Sequence, residues 1–198
     1  MTVQILPEIH IVRHGATAWT ESGQHTGLSD IPLTEQGERQ ALQLGKYLHG
    51  RYDHVFSSPL QRARRTCELA GFASRARIDP DLVEWNYGEY DGLTRAQILK
   101  RHPGWQVFRD GCPGGESVKE VGARADRVIG RLRALNANVL LFSSGHFMRV
   151  FAARWLDLDP SCGRLFLLST TTLSVLGYQH TTDEPVIRLW NDVRPGED

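Results

Sequence analysis

Short runs of β-branched and aromatic residues alternate along the chain with stretches whose apolar positions recur every three or four residues. Glu8-Ile9-His10-Ile11-Val12 reads as a strand that stops at the turn signal Gly15. Thr34 is placed to cap a helix carrying Ala41, Leu42, Leu44 and Leu48 along one side. His54-Val55-Phe56-Ser57 reads as a second strand. It meets Ser58-Pro59-Leu60-Gln61, a capping box with proline at the first helical position, which predicts a helix over 59–70. Two further capping boxes stand at Thr94-Arg95-Ala96-Gln97 and Ser117-Val118-Lys119-Glu120. The second opens a long helix with Val121, Ala125, Val128, Ile129, Leu132 and Leu135 at helical spacing. Val139-Leu140-Leu141-Phe142 is apolar throughout, the pattern of a central strand buried on both faces, and a helix follows over 147–155. Strands over 172–178 and 186–190 complete the pattern.

Strands alternating with helices predict a mostly parallel sheet with helices on both faces, a three-layer α/β/α sandwich. No stretch reads as a linker, so residues 1–198 are expected to form one domain. The stretch 79–115 is rich in Gly, Pro, Trp and Tyr without sustained periodicity. It is expected to be an insertion that covers a pocket and carries one short helix near Arg95–Arg101.

Composition narrows the function. The 198 residues hold 23 Lys and Arg against 23 Asp and Glu, so no overall field draws nucleic acid or an anionic membrane, and an anionic ligand needs a local cluster. No apolar run is long enough to span a bilayer, and the N-terminus lacks a signal-type pattern, which leads to the expectation of a cytoplasmic protein. Three widely spaced cysteines, Cys67, Cys112 and Cys162, suggest neither a disulfide framework nor a thiolate metal site.

In an open α/β sheet, ligands bind beyond the carboxyl ends of the strands. Those positions hold Arg13-His14-Gly15, Ser57-Ser58-Pro59 leading to Arg62, and Ser143-Ser144-Gly145-His146. If the three strands are parallel neighbours, two histidines and two arginines converge at one rim. Guanidinium forks beside helix N-termini suit a dianion such as phosphate, and a histidine there can act as nucleophile.

These residues resemble the histidine phosphatase superfamily, which includes the cofactor-dependent phosphoglycerate mutases. The resemblance rests on Arg13-His14-Gly15, followed in family order by Thr17, Trp19, Thr26-Gly27, Leu33-Thr34, Gly37, Ser58-Pro59-Leu60, Arg62-Ala63, Glu84-Trp85-Asn86-Tyr87-Gly88, Gly114-Gly115-Glu116-Ser117 and Ser144-Gly145-His146. It implies that His14 becomes a phosphohistidine, that Arg13, Arg62 and His146 hold the phosphoryl oxygens, and that Glu84 is the general acid and base. It implies substrate contacts at Thr20, Gln24, His25, Thr26, Gly27 and Phe147. It implies a small-molecule phosphomonoester as partner, with no nucleic acid, no membrane, no metal and no other cofactor. A homodimer is compatible with the sequence but not derivable from it.

Within the superfamily the chain departs from the mutase pattern at Thr20 and Trp85, and the stretch Glu84-Trp85-Asn86-Tyr87-Gly88-Glu89-Tyr90-Asp91-Gly92, with Gly23-Gln24-His25-Thr26-Gly27-Leu28, is similar to sedoheptulose-bisphosphatase-like enzymes and small bacterial acid phosphatases. Hydrolysis of a sugar phosphate or bisphosphate is therefore expected. Phosphoglycerate mutase, and a non-catalytic phosphate-binding module on the same fold, are the alternatives. The aromatics Trp85, Tyr87, Tyr90, Trp105 and Phe108 are candidates for a sugar wall. Lys100, Arg101 and His102, or Arg64 and Arg65, are candidates for a second phosphate, and Glu116 and Glu89 stand behind Glu84 as alternative acids.

Overall fold

The structure is a computed structural model that describes residues 6–193. Six strands, β1 (Ile9–Arg13), β2 (His54–Ser57), β3 (Ala76–Ile78), β4 (Val139–Ser143), β5 (Leu173–Tyr178) and β6 (Pro185–Asp192), form one sheet in the order β3-β2-β4-β1-β5-β6. β1, β2, β3 and β4 run parallel. β5 is antiparallel to both β1 and β6, so the sheet is mixed with a parallel majority.

Among the described residues the α-helices are α1 (Ala18–Ser22), α2 (Glu35–Gly45), α3 (Gln61–Leu69), α4 (Arg95–Arg101), α5 (Val107–Asp110), α6 (Val118–Leu135) and α7 (Gly145–Trp155). Strand alternation divides the core. Ile9 and Ile11 of β1, with Val139 and Leu141 of β4, face the cluster that holds Val128, Leu132, Phe151 and Trp155. Val12, Leu140 and Phe142 point the other way, onto Leu44, Ala63 and Cys67. Helices thus cover both faces, α6 and α7 on one and α2 and α3 on the other, as the alternating pattern requires. Each large side chain so enclosed contributes roughly 1.5–3 kcal/mol.

The capping residues of α2, α4 and α6 behave as the sequence predicts: Thr34, Thr94 and Ser117 each accept from a backbone N–H three residues on, and the last two complete reciprocal boxes with Gln97 and Glu120. At α3 the prediction fails. The helix begins at Gln61, and Ser58 Oγ accepts instead from Leu60 N at 3.3 Å. The first turn is capped from a distant loop by Asp30, whose Oδ1 accepts from Gln61 N at 2.7 Å, and the Gln61 side chain donates to the Asp30 carbonyl. A carboxylate at a helix N-terminus outcompetes a hydroxyl there because it complements the helix dipole.

The stretch 79–115 is less a lid than part of the core. Trp85, Tyr90, Trp105 and Phe108 are buried in the cluster under α6 and α7, along with Ile98 of the expected short helix. No helix among the described residues is long and apolar enough to cross a membrane.

The topology fixes where a ligand can enter. β1 and β4 are parallel neighbours in register Arg13 to Ser143, and β4 pairs with β2 in register Phe142 to Ser57. The chain leaves β1 toward the face of α2 and leaves β4 toward the face of α7, so a crevice opens between their carboxyl ends.

Candidate active site

That crevice is a cavity of about 260 Å³, and it receives the ends of three elements. His14 follows β1 and is anchored by its own N–H to the Ser143 carbonyl at 3.0 Å. The loop behind it is tight: a Cβ on Gly15 would come within 2.6 Å of the Gly37 carbonyl oxygen. Only glycine lets the two segments approach so closely.

The His14 imidazole is 2% exposed, and its Nδ1 lies 2.8 Å from the Gly15 carbonyl. A carbonyl only accepts, so Nδ1 carries the proton and Nε2 keeps a lone pair. Burial holds the ring well below its ordinary value, and the charges of Arg62 and Arg13 add to this. His14 is therefore a neutral imidazole with one nucleophilic nitrogen.

Arg13 lines the cavity and donates from Nη1 to the Leu168 carbonyl. Arg62 lies wholly buried behind the cavity wall. Its terminal nitrogens hold the loop carbonyls of Thr26, Gly27 and Ser29 at 2.7–3.1 Å. Burial draws both guanidinium groups down from the ordinary value, yet arginine stays charged at neutral pH. Three polar atoms beside this end of the cavity, Arg13 Nε, Arg62 Nε and Ser144 Oγ, are buried with no hydrogen-bond partner. Unpaired buried donors are costly, and the two arginines that carry them act electrostatically on His14, which suits an anionic acceptor there.

Glu84 lines the same cavity and serves as a cap supplied from another part of the chain. Its Oε2 accepts from His146 N at 3.0 Å, and its Oε1 accepts from Phe147 N at 2.7 Å and from Trp85 N at 2.8 Å. Ser144, the residue that begins α7, makes no side-chain cap bond, so the carboxylate satisfies the helix N–H groups instead. Behind Glu84 stands Arg124, which donates to the carbonyls of Asp81, Val83 and Glu84 and forms a two-pronged bond with Glu116. Glu116 is thereby committed to structure, and Glu89 is exposed.

His146 opens α7 and contributes its ring to the cavity, hydrogen-bonded through Nδ1 to the hydroxyl of Tyr87. The ring sits between Phe108 and the imidazole of His25, at centroid separations of 5.1 and 6.0 Å. Burial keeps both histidines below their ordinary values, His146 most strongly, where Arg149 adds its charge.

Of the expected substrate contacts, Thr20, Gln24, His25 and Thr26 line the cavity. Gly27 and Phe147 lie behind it. Gly27 is pinned between Asp91 and Arg62, and the Phe147 ring packs in the core under the Arg124 guanidinium at 4.6 Å. Of the five aromatics, Tyr87 alone reaches the cavity; the other four fill the interior. Neither Lys100, Arg101 nor His102 lines it, and nor do Arg64 and Arg65, the latter being held by Glu38 and Glu68. Arg149, a second cation in the wall, escaped the sequence reading, and so did the bond that Tyr87, expected only as a sugar wall, makes to His146. The signal for Arg149 was its spacing, three positions after His146 on one helix. Among the described residues, no three His, Cys, Asp or Glu side chains are grouped as metal ligands would be.

Comparison with known proteins agrees with this geometry. The family model for the histidine phosphatase superfamily (branch 1) matches residues 9–193. The chain is 36% identical to the sedoheptulose 1,7-bisphosphatase of Saccharomyces cerevisiae, with 93% of each chain covered. It is 38% identical to an acid phosphatase of Mycobacterium tuberculosis, with 86% of each covered. The solved structure of an open reading frame product from M. tuberculosis superimposes with a TM-score of 0.89 at 35% identity, covering 93% of this chain and 97% of that one.

Proposed function

Because the chain belongs to the histidine phosphatase superfamily, we propose that it hydrolyses small phosphorylated metabolites, sugar phosphates or bisphosphates, through a phosphohistidine on His14. The observation that carries this reading is the His14 imidazole, with Nδ1 committed to Gly15 and Nε2 left free beside two arginines whose Nε atoms lack partners. The names of the yeast and mycobacterial relatives, a sugar bisphosphatase and an acid phosphatase, support the substrate class.

In this reading His14 Nε2 attacks phosphorus while the bond to the ester oxygen breaks. Glu84 gives the departing alkoxide its proton. Water then attacks the phosphohistidine, Glu84 takes a proton from that water, the P–N bond breaks, and inorganic phosphate leaves with Nε2 restored. The proton stays on Nδ1 and is donated to the Gly15 carbonyl, whose oxygen stabilises the positive charge that the ring acquires in between. Arg13, Arg62 and His146 surround the transferring oxygens and supply the positive charge and fixed donors that other phosphoryl-transfer enzymes obtain from metal ions. Thr20, Gln24, His25 and Thr26 form the remaining wall. The same reading makes the enzyme cytoplasmic and independent of nucleic acid. That accords with its balanced charge and with free cysteines, of which Cys67 and Cys112 are buried with thiols pushed up to about 12.

The test is a release assay over sugar phosphates and p-nitrophenyl phosphate, with protein quenched during turnover. Wild type is expected to release phosphate and to carry an acid-labile, base-stable phosphoryl group. His14→Ala is expected to do neither while unfolding at the wild-type temperature. Full turnover in His14→Ala would end the proposal.

A further inference from the structure

The phosphoryl end of the cavity leaves Arg149 without a task. α7 carries it three residues past His146, about 4.5 Å along the axis, and its side chain forms part of the cavity wall. Its Nε donates to the Gly163 carbonyl at 3.1 Å and its Nη2 to the Arg164 carbonyl at 3.3 Å, and the guanidinium carbon lies 4.5 Å from the centre of the Phe108 ring. These contacts fix the group without neutralising it. Arg65, Arg109, Arg124, Arg127, Arg131 and Arg154 each pair with a carboxylate, whereas Arg149 has no such partner among the described residues. Its Nη1 takes part in none of these bonds. Partial burial draws the group down from its ordinary value, against the opposing charge of Glu84.

A preorganised guanidinium in a ligand cavity, with a donor to spare and no carboxylate in direct ion-pair contact, is a site for an anionic oxygen group. The scissile phosphate already has Arg13, Arg62 and the free donors around His14. We infer that Arg149 recognises a second phosphate on the substrate, which makes bisphosphorylated small molecules the preferred class. The inference rests on the phosphatase reading above and deepens it, because it gives a second anionic group of the substrate its own cation in the same cavity. It also moves the second cation from the surface residues at 100–102 to the helix that carries His146.

The experiment compares fructose 1,6-bisphosphate with fructose 6-phosphate as probes, in wild type, Arg149→Gln and Arg149→Lys. Wild type is expected to prefer the bisphosphate in kcat/KM. Arg149→Gln is expected to lower that preference by about ten- to a hundred-fold, the scale of one charged hydrogen bond, mainly through KM. Arg149→Lys, which keeps the charge and loses the fork, is expected to recover part of the preference, and it supplies the comparison if the glutamine variant does not fold. Equal losses on both probes, or an unchanged preference, would overturn the inference by reducing Arg149 to a packing residue. Calorimetric binding of both probes to His14→Ala, with and without Arg149→Gln, gives the same comparison without turnover. If wild type hydrolyses neither probe nor p-nitrophenyl phosphate nor any other sugar phosphate tried, but His14→Ala binds the bisphosphate through Arg149, the phosphatase reading fails and the anion site stands. If turnover is normal and binding ignores Arg149, the reverse holds.

Discussion

The Tyr87 hydroxyl and His146 Nδ1 share a hydrogen bond in the cavity wall. Burial raises the Tyr87 phenol well above its ordinary value and keeps the imidazole neutral, so neither group is ionised, and when the phenol donates, Nδ1 accepts. The other ring nitrogen of His146, Nε2, then carries a proton. Tyr87 thus sets the tautomer that makes His146 a hydrogen-bond donor, the part its proposed role on the phosphoryl oxygens requires.

Removing that hydroxyl should loosen the donor without touching the nucleophile. Tyr87→Phe is expected to lower kcat/KM by about ten- to a hundred-fold, the range typical of partners that orient a functional histidine. Nitrogen-15 shifts of His146 should change from one tautomer to a mixture. A loss of activity with an unchanged His146 tautomer would leave Tyr87 as packing only.

Glu84 makes a prediction through leaving groups. If its carboxyl delivers the proton, Glu84→Gln should slow sugar phosphates by about 10² to 10⁴ more than p-nitrophenyl phosphate, whose phenolate departs unaided. The amide keeps a carbonyl oxygen for the N–H groups of His146 and Phe147, which limits damage to the start of α7. Equal slowing of both substrates would remove the acid role.

Acid should affect stability before it affects the nucleophile. His14 and His146 are both held well below 6.5 in the fold, so as pH falls through that value the unfolded chain takes up protons that the folded chain refuses. Their contribution is therefore complete above 6.5 and is lost progressively below it. Melting temperature is expected to fall between about pH 7.5 and about pH 5.5, while the acid limb of kcat/KM lies below the value of a free imidazole. An acid limb centred on the ordinary histidine value would contradict the neutral, buried His14.

Arg124 tests how the acid residue is held. It joins α6 to three carbonyls around Glu84 and to the Glu116 carboxylate, all in a buried setting. Arg124→Ala is expected to cost about 3–5 kcal/mol by chemical denaturation, because Glu116 is left charged and unpaired. Arg124→Ala combined with Glu116→Gln should recover part of that loss. No recovery would mean that the carbonyl contacts, rather than the ion pair, hold the segment.

The local chemistry of the chain was enough to determine the layers and the starts of α2, α4 and α6. Apolar residues at 139–142 leave a strand no polar face, and Thr34, Thr94 and Ser117 satisfy N–H groups only three residues away, so both follow from adjacent sequence. The rim formed by Arg13, His14 and the residues after 143 was legible for the same reason, since strands end where turns begin. The edge strand Ala76–Ile78 left no signal, being three residues long and paired on one side. What only the tertiary structure decided were contacts between segments far apart in sequence: Asp30 in place of Ser58 at the start of α3, Glu84 in place of Ser144 at the start of α7, Tyr87 on His146, and Arg149 rather than the 100–102 cations in the cavity. In each case a local rule names a donor or a charge. Which partner satisfies it depends on which distant backbone the packing of the core brings within hydrogen-bond reach.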